Sequence, residues 1–109
     1  MKLGLALSGG GIKGAAHIGV MQAFKEENIG IDVISGTSIG SIVASLYAME
    51  YTPSEMLKLF NYFSKMIFKN STMYTDSKGK KLLSIRAGGL YSGENIAFAI
   101  EEAGKYKNV

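Results

Sequence analysis

Cysteine is absent from the 109 residues, which removes disulfides and thiolate metal sites from consideration. Histidine occurs once, at His17, so a zinc site built only from this chain is short of ligands. Proline also occurs once, against 14 glycines with no low-complexity tract to absorb them. Those glycines must therefore stand at particular backbone positions. Charge is sparse: 19% of residues carry it, and the formal net charge is +3 with the lysines spread along the chain. That pattern speaks against nucleic acid as a partner and leaves only mild attraction to anionic surfaces. No long apolar run exists either. The stretch after Lys2 stops at Ser8, too short for a signal-peptide core or a membrane span. With no export signal visible, a cytoplasmic protein is expected, and a signal-independent secretion route stays open.

What is present is a core-forming composition, 47% hydrophobic, within the size of one small domain. Residues 3–7 read as a buried strand, short, apolar and stopped by glycines. A glycine loop follows over 8–14, then a helix over about 15–28 with Ala16, Val20 and Phe24 on one face. Gly30 punctuates its end, and 32–35 form a second short strand around Val33 and Ile34. The next helix reaches about Glu50 and carries Ile39, Ile42, Val43 and Leu46 as its apolar stripe, with the small Ser41 and Ser45 one turn apart.

Thr52-Pro53-Ser54-Glu55 is a helix start with a capping box, and the helix it opens runs to Lys69. Its apolar face is Met56, Leu59, Phe60, Phe63 and Ile67, and Lys58, Asn61, Lys65 and Lys69 lie opposite. Residues 70–81 are polar and expected as loop, 82–85 as a short strand or loop. A last helix opens at Ser92-Gly93-Glu94, reaches about Ala103 and is ended by Gly104. No repeat or linker is evident. Strand, helix, strand, helix in this order implies an α/β fold with a parallel sheet and crossover helices. So few strands cannot close a stable sheet, so the chain is expected to be an incomplete fragment of a larger domain.

Two motifs carry chemistry. Gly36-Thr37-Ser38-Ile39-Gly40 lies between an apolar strand and an amphipathic helix, the context a nucleophile elbow requires. A serine in so sharp a turn projects its hydroxyl above the sheet, and glycines two positions either side let the backbone bend. The positive end of the following helix dipole faces any developing oxyanion. The competing reading is an ordinary strand-to-helix loop with Ser38 as N-cap.

Ser8-Gly9-Gly10-Gly11-Ile12-Lys13-Gly14 also joins a strand to a helix, and its side-chain-free amides can bind phosphate or stabilise an oxyanion. The same loop fits Gly9-x-Gly11-x-x-Gly14, the dinucleotide fingerprint, with Asp32 at about the expected distance. An NAD or FAD oxidoreductase domain is therefore the main competitor. Two details oppose it: Asp32 precedes the second strand instead of ending it, and Gly36 to Gly40 is left unexplained. A Gly-Lys-Ser/Thr ending is missing, which removes a P-loop.

Together the two motifs resemble the N-terminal part of the patatin-like phospholipase family. The likeness is close over Leu5 to Leu46 and looser through Gly89-Leu90-Tyr91-Ser92-Gly93. It implies a three-layer α/β/α sandwich and hydrolysis of carboxylic esters in phospholipids or related acyl lipids, with no cofactor and with transient contact to a membrane surface. It further implies Ser38 as nucleophile of a Ser-Asp dyad, Gly9, Gly10 and Gly11 as oxyanion hole, Lys13 at the family's basic position, and Gly14, Gly36 and Gly40 in support.

The family's aspartate stands in an Asp-Gly-Gly or Asp-Gly-Ala motif, and neither Asp32 nor Asp76 is followed by glycine. The resemblance thus makes 1–109 the N-terminal portion of one domain whose base lies elsewhere, and an isolated chain of this length nearly inactive. A scaffold that keeps a membrane-binding surface without its base is the non-enzymatic alternative. His17 is read as a packing residue in preference to a triad base. Asp32 is read as a structural cap at the far end of the sheet, Asp76 as solvated. The aromatic and lysine faces of the 53–69 helix suit ordinary packing better than a lipid-facing lip, for which Met66, Ile67 and Phe68 would be the exposed spot.

Overall fold

The computed structural model describes residues 1–69, 73–75, 81–83 and 93–108, with side chains over 1–65 and 96–108. Asp76, Ser84 to Ser92, and the side chains of Met66, Ile67 and Phe68 lie outside the described residues. Two short strands, β1 (Gly4–Leu7) and β2 (Val33–Gly36), pair in parallel from Gly4 opposite Val33 to Leu7 opposite Gly36. Parallel strands need a crossover, and α1 (Ala15–Glu26) supplies it after a 3-10 turn at Gly11–Gly14. The chain is α/β, with helices packed on a parallel pair. The register has one consequence for the site. Both strands deliver their C-terminal loops to the same edge of the sheet.

α2 (Ile39–Ala48) leaves that edge and is the most buried element. Ile39, Ile42, Val43 and Leu46 are all buried, each removing enough apolar surface from water to contribute about 1.5–3 kcal/mol. The hydroxyls of Ser41 and Ser45 donate back to the Ser38 and Ser41 carbonyls inside this helix, leaving a smooth face. α3 (Pro53–Lys69) begins at the expected capping box. Glu55 N–H donates to Thr52 Oγ1 at 3.2 Å, and Thr52 N–H donates to Glu55 Oε1 at 3.0 Å. The bond from the Thr52 amide holds the Glu55 carboxyl below the usual carboxylate range. Met56, Phe60 and Phe63 are buried as their spacing requires.

Three local expectations change. On α1 the buried side chains are Ile18 and Met21, while Ala16 and Val20 face outward. The helix is apolar on two faces, and packing against α3 selected the other one. The 70–81 stretch contains a strand: β3 (Met73–Thr75) pairs antiparallel with β4 (Lys81–Leu83). Finally α4 (Gly93–Tyr106) runs through Gly104 instead of stopping there. Gly104 is buried, Ala99 and Ala103 pack into the core, and the Tyr51 hydroxyl donates to the Ala103 carbonyl at 2.8 Å. These long-range contacts outweigh the local preference of glycine to end a helix.

Among the described residues no helix is long and apolar enough to cross a membrane.

Candidate active site

The elbow is built from steric necessity. Thr37 N–H continues the sheet by donating to the Leu7 carbonyl at 2.9 Å, and the chain then reverses. Gly40 N–H donates to the Thr37 carbonyl at 2.9 Å, closing a four-residue turn whose first central residue is Ser38. Ser38 has φ 54° and ψ −123°, the backbone of that position in a type II′ turn, where glycine is the usual occupant. A β-carbon at Gly36 would collide with the Gly40 carbonyl, and one at Gly40 with the Leu7 carbonyl. Both spacings of the pentapeptide therefore have a physical reason in the structure.

Ser38 occupies the N-cap position of α2, yet its side chain makes no capping hydrogen bond. It is half-buried. The N-cap reading of this serine fails on that point, because a cap works through the very bond that is missing. Gly40 and Ser41 amides are taken by the Thr37 and Ser38 carbonyls. The remaining amide of this first turn, Ile39 N–H, has no intrahelical partner and directly follows Ser38. Sequence reasoning overlooked it, although the residue after an elbow serine is where such a donor belongs.

The glycine loop reaches the same place from β1. A β-carbon built on Gly9 would stand 3.5 Å from Ser38 Cβ and 3.7 Å from the Thr37 carbonyl oxygen. Gly10 and Gly11 have φ 152° and 61°, so the backbone here turns as side-chain-bearing residues rarely do. Lys13 N–H is committed to the Gly10 carbonyl at 3.2 Å, and the Lys13 side chain is exposed. Gly14 is buried against Ile39, whose Cγ1 lies 2.6 Å from where a Gly14 β-carbon would be. That contact fixes the start of α1 against the start of α2. The structure thus brings Ser38, Gly9, Gly14, Gly36 and Gly40 together at one sheet edge.

Other candidates lie elsewhere or are engaged. Asp32 Oδ2 accepts from Leu3 N–H at 2.7 Å, at the opposite end of the two strands from Ser38. It can serve neither as base for Ser38 nor as a ribose ligand beside the glycine loop, which removes the geometric basis of a dinucleotide site. His17 Nε2 pairs with the Ser8 carbonyl at 2.8 Å. Among the described residues no carboxylate or imidazole accepts from the Ser38 hydroxyl, and no cluster of histidine and acidic side chains could hold a metal. Two grooves of about 600 and 260 Å³ open along α3, and neither is lined by Ser38 or the glycine loop.

Comparison with known proteins places the chain in a family. The model of the family described as patatin-like phospholipase matches residues 5–105. A patatin-like phospholipase domain-containing protein of Caenorhabditis elegans is 35% identical over 105 residues, covering 92% of this chain and 7% of that protein. Lysophospholipase NTE1 of Mycosarcoma maydis is 52% identical over 60 residues, 55% of this chain and 3% of its own length. Lysophospholipase NTE1 of Saccharomyces cerevisiae is 57% identical over 49 residues, 45% of this chain and 3% of its own. The chain therefore spans 7% or less of the length of these relatives.

Proposed function

The chain belongs to the patatin-like phospholipase family, and from that premise we propose that it carries the nucleophile and oxyanion hole of a lipid acyl hydrolase acting on carboxylic esters of phospholipids or related acyl lipids. The observation that supports this most is the state of Ser38. Its backbone is held in a conformation that disfavours a side chain, its hydroxyl is excused from capping, and Gly9 stands against it. Backbone strain of about 1–3 kcal/mol is kept only where the surroundings enforce it, and it clusters at working sites.

In the proposed reaction Ser38 Oγ adds to the acyl carbonyl carbon while its proton passes to a base. The carbonyl oxygen, now anionic, is taken by amides of Gly9, Gly10 and Gly11, with Ile39 N–H as a further donor. One well-placed donor of this kind contributes roughly 3 kcal/mol to the transition state. The ester C–O bond then breaks, the departing alcohol recovers the proton, and an acyl-serine remains. Water adds to it by the same route and releases the fatty acid.

The base in this proposal is an aspartate outside residues 1–109, the chain forming the N-terminal portion of one hydrolase domain. Asp32 stands at the wrong end of the sheet, and Asp76 lacks the following glycine of the family motif. Lys13 is assigned a supporting electrostatic role from its exposed position on the turn beside the loop. Membrane contact is proposed to be transient.

Ser38→Ala in the intact protein tests the reading against a p-nitrophenyl ester. Turnover should fall by several orders of magnitude with the fold unchanged by circular dichroism. Equal rates for the two proteins would remove Ser38 from the mechanism.

A further inference from the structure

We propose that His17 is a positioning residue for the oxyanion hole, acting through the peptide that joins Ser8 to Gly9. This rests on the assignment of Ser38 and the glycine loop given above. The geometry begins with a bond between main chain and side chain. His17, on the first turn of α1 and half-buried, reaches back nine positions to place Nε2 2.8 Å from the Ser8 carbonyl oxygen. A carbonyl only accepts, so Nε2 carries a proton and donates. That nitrogen then has no lone pair for a hydroxyl proton, and Nε2 of this ring cannot act as the base for Ser38.

Its use lies in what the carbonyl is attached to. The Ser8 C=O and the Gly9 N–H belong to one planar trans peptide unit, pointing in opposite directions. Fixing the carbonyl therefore fixes the direction of the Gly9 amide, one of the proposed oxyanion donors. A donated hydrogen bond on the carbonyl also polarises the unit and strengthens the N–H at its other end.

The loop needs such an anchor. Gly9, Gly10 and Gly11 have no side chains with which to hold themselves, and glycine loses more freedom on ordering than any other residue. The same carbonyl abuts the elbow, lying 2.7 Å from where a Gly40 β-carbon would be. One peptide thus sits between the imidazole, the oxyanion loop and the nucleophile turn.

The test uses His17→Phe, which keeps a ring without the donor, and His17→Gln, whose Nε2 can still donate. Rates are read with a p-nitrophenyl ester on the intact protein, with Ser38→Ala as control. Removing an oxyanion donor outright costs on the order of 100-fold to 1000-fold in kcat. Misdirecting one should cost His17→Phe roughly 10-fold to 100-fold with KM nearly unchanged, and His17→Gln should recover most of the loss. Wild-type kcat in His17→Phe, or equal loss in both variants, would overturn the proposal. If His17→Phe fails to fold, nitrogen-15 NMR of the wild-type imidazole decides instead: a proton on Nε2 is required, and its absence refutes the bond. An active Ser38→Ala protein would instead refute the hydrolase reading itself, while the NMR result would still report on the His17 bond alone.

Discussion

Ser38→Gly should make the protein more stable while abolishing hydrolysis. Ser38 has φ 54° and ψ −123°, a region that a side chain makes costly by about 1–3 kcal/mol. Glycine adopts it freely, at a cost of about 0.5–1 kcal/mol in unfolded-chain entropy. Losing one half-buried CH₂–OH forfeits less than about 0.8 kcal/mol of burial, and no capping bond is lost because none exists. The balance is a gain of about 1 kcal/mol. Ser38→Ala separates the two effects, since it removes the hydroxyl and keeps the β-carbon, and so gains nothing from strain relief. Urea unfolding of the three intact proteins, compared at a common m value, measures the differences. A Ser38→Gly protein no more stable than Ser38→Ala would show that the turn is not strained, and the elbow argument would lose its physical basis.

Gly40→Ala and Gly19→Ala should move stability in opposite directions. At Gly40 the added methyl meets the Leu7 and Ser8 carbonyls, main-chain atoms that cannot swing away, so a loss of about 1–3 kcal/mol is expected. At Gly19, inside α1, nothing lies within 4 Å, and alanine should gain up to about 1 kcal/mol of helix propensity. Paired thermal melts check both, and a shift of the same sign in the two variants would refute the close approach at the elbow. Tyr51→Phe should cost about 1–3 kcal/mol in chemical unfolding, because the Ala103 carbonyl near the end of α4 loses its buried partner. Burial, with Glu55 and Tyr106 nearby, raises the Tyr51 pKa above 10.0, so the folded state keeps a proton that the unfolded chain releases. Stability from this group is therefore complete below that value and falls as pH rises through the folded pKa. Tyr51→Phe should flatten the alkaline arm of a stability–pH curve, and an unchanged slope would count against the assignment.

Which parts of the fold were legible follows from where the determining contacts lie. The start of α3 could be read because Thr52 and Glu55 satisfy each other's amides within four residues. The stripe of α2 was equally plain, since Ile39, Ile42, Val43 and Leu46 offer only one apolar face. α1 offers two, and the choice of Ile18 and Met21 over Ala16 and Val20 is made by α3, more than 30 residues away. α4 runs on through Gly104 because Tyr51 holds the Ala103 carbonyl from a distance of 52 residues. No local rule contains that. The β3–β4 pair did leave a signal: Met73–Thr75 and Lys81–Leu83 are separated by five residues that include Gly79, a permitted hairpin spacing. The polar character of the segment hid it.

The candidate site divides along the same line. Gly36 and Gly40, where a β-carbon would strike main chain, and Gly10 and Gly11, with positive φ, are visible because the backbone there does what only glycine permits, and necessity of that kind leaves a residue-type mark. The contacts that would aim the site leave none. His17 bonds a main-chain carbonyl, which every residue type at position 8 would offer, so nothing in the acceptor announces the pairing. The Ile39 amide is equally anonymous. A histidine three residues past the loop could be weighed from sequence only as a base or as packing, and the bond to the Ser8 carbonyl supports the third use proposed above, the holding of a peptide that leads into the glycine loop. Main-chain donors and acceptors are thus the part of a site that side-chain motifs cannot encode, and they become assignable once the peptide planes themselves can be followed.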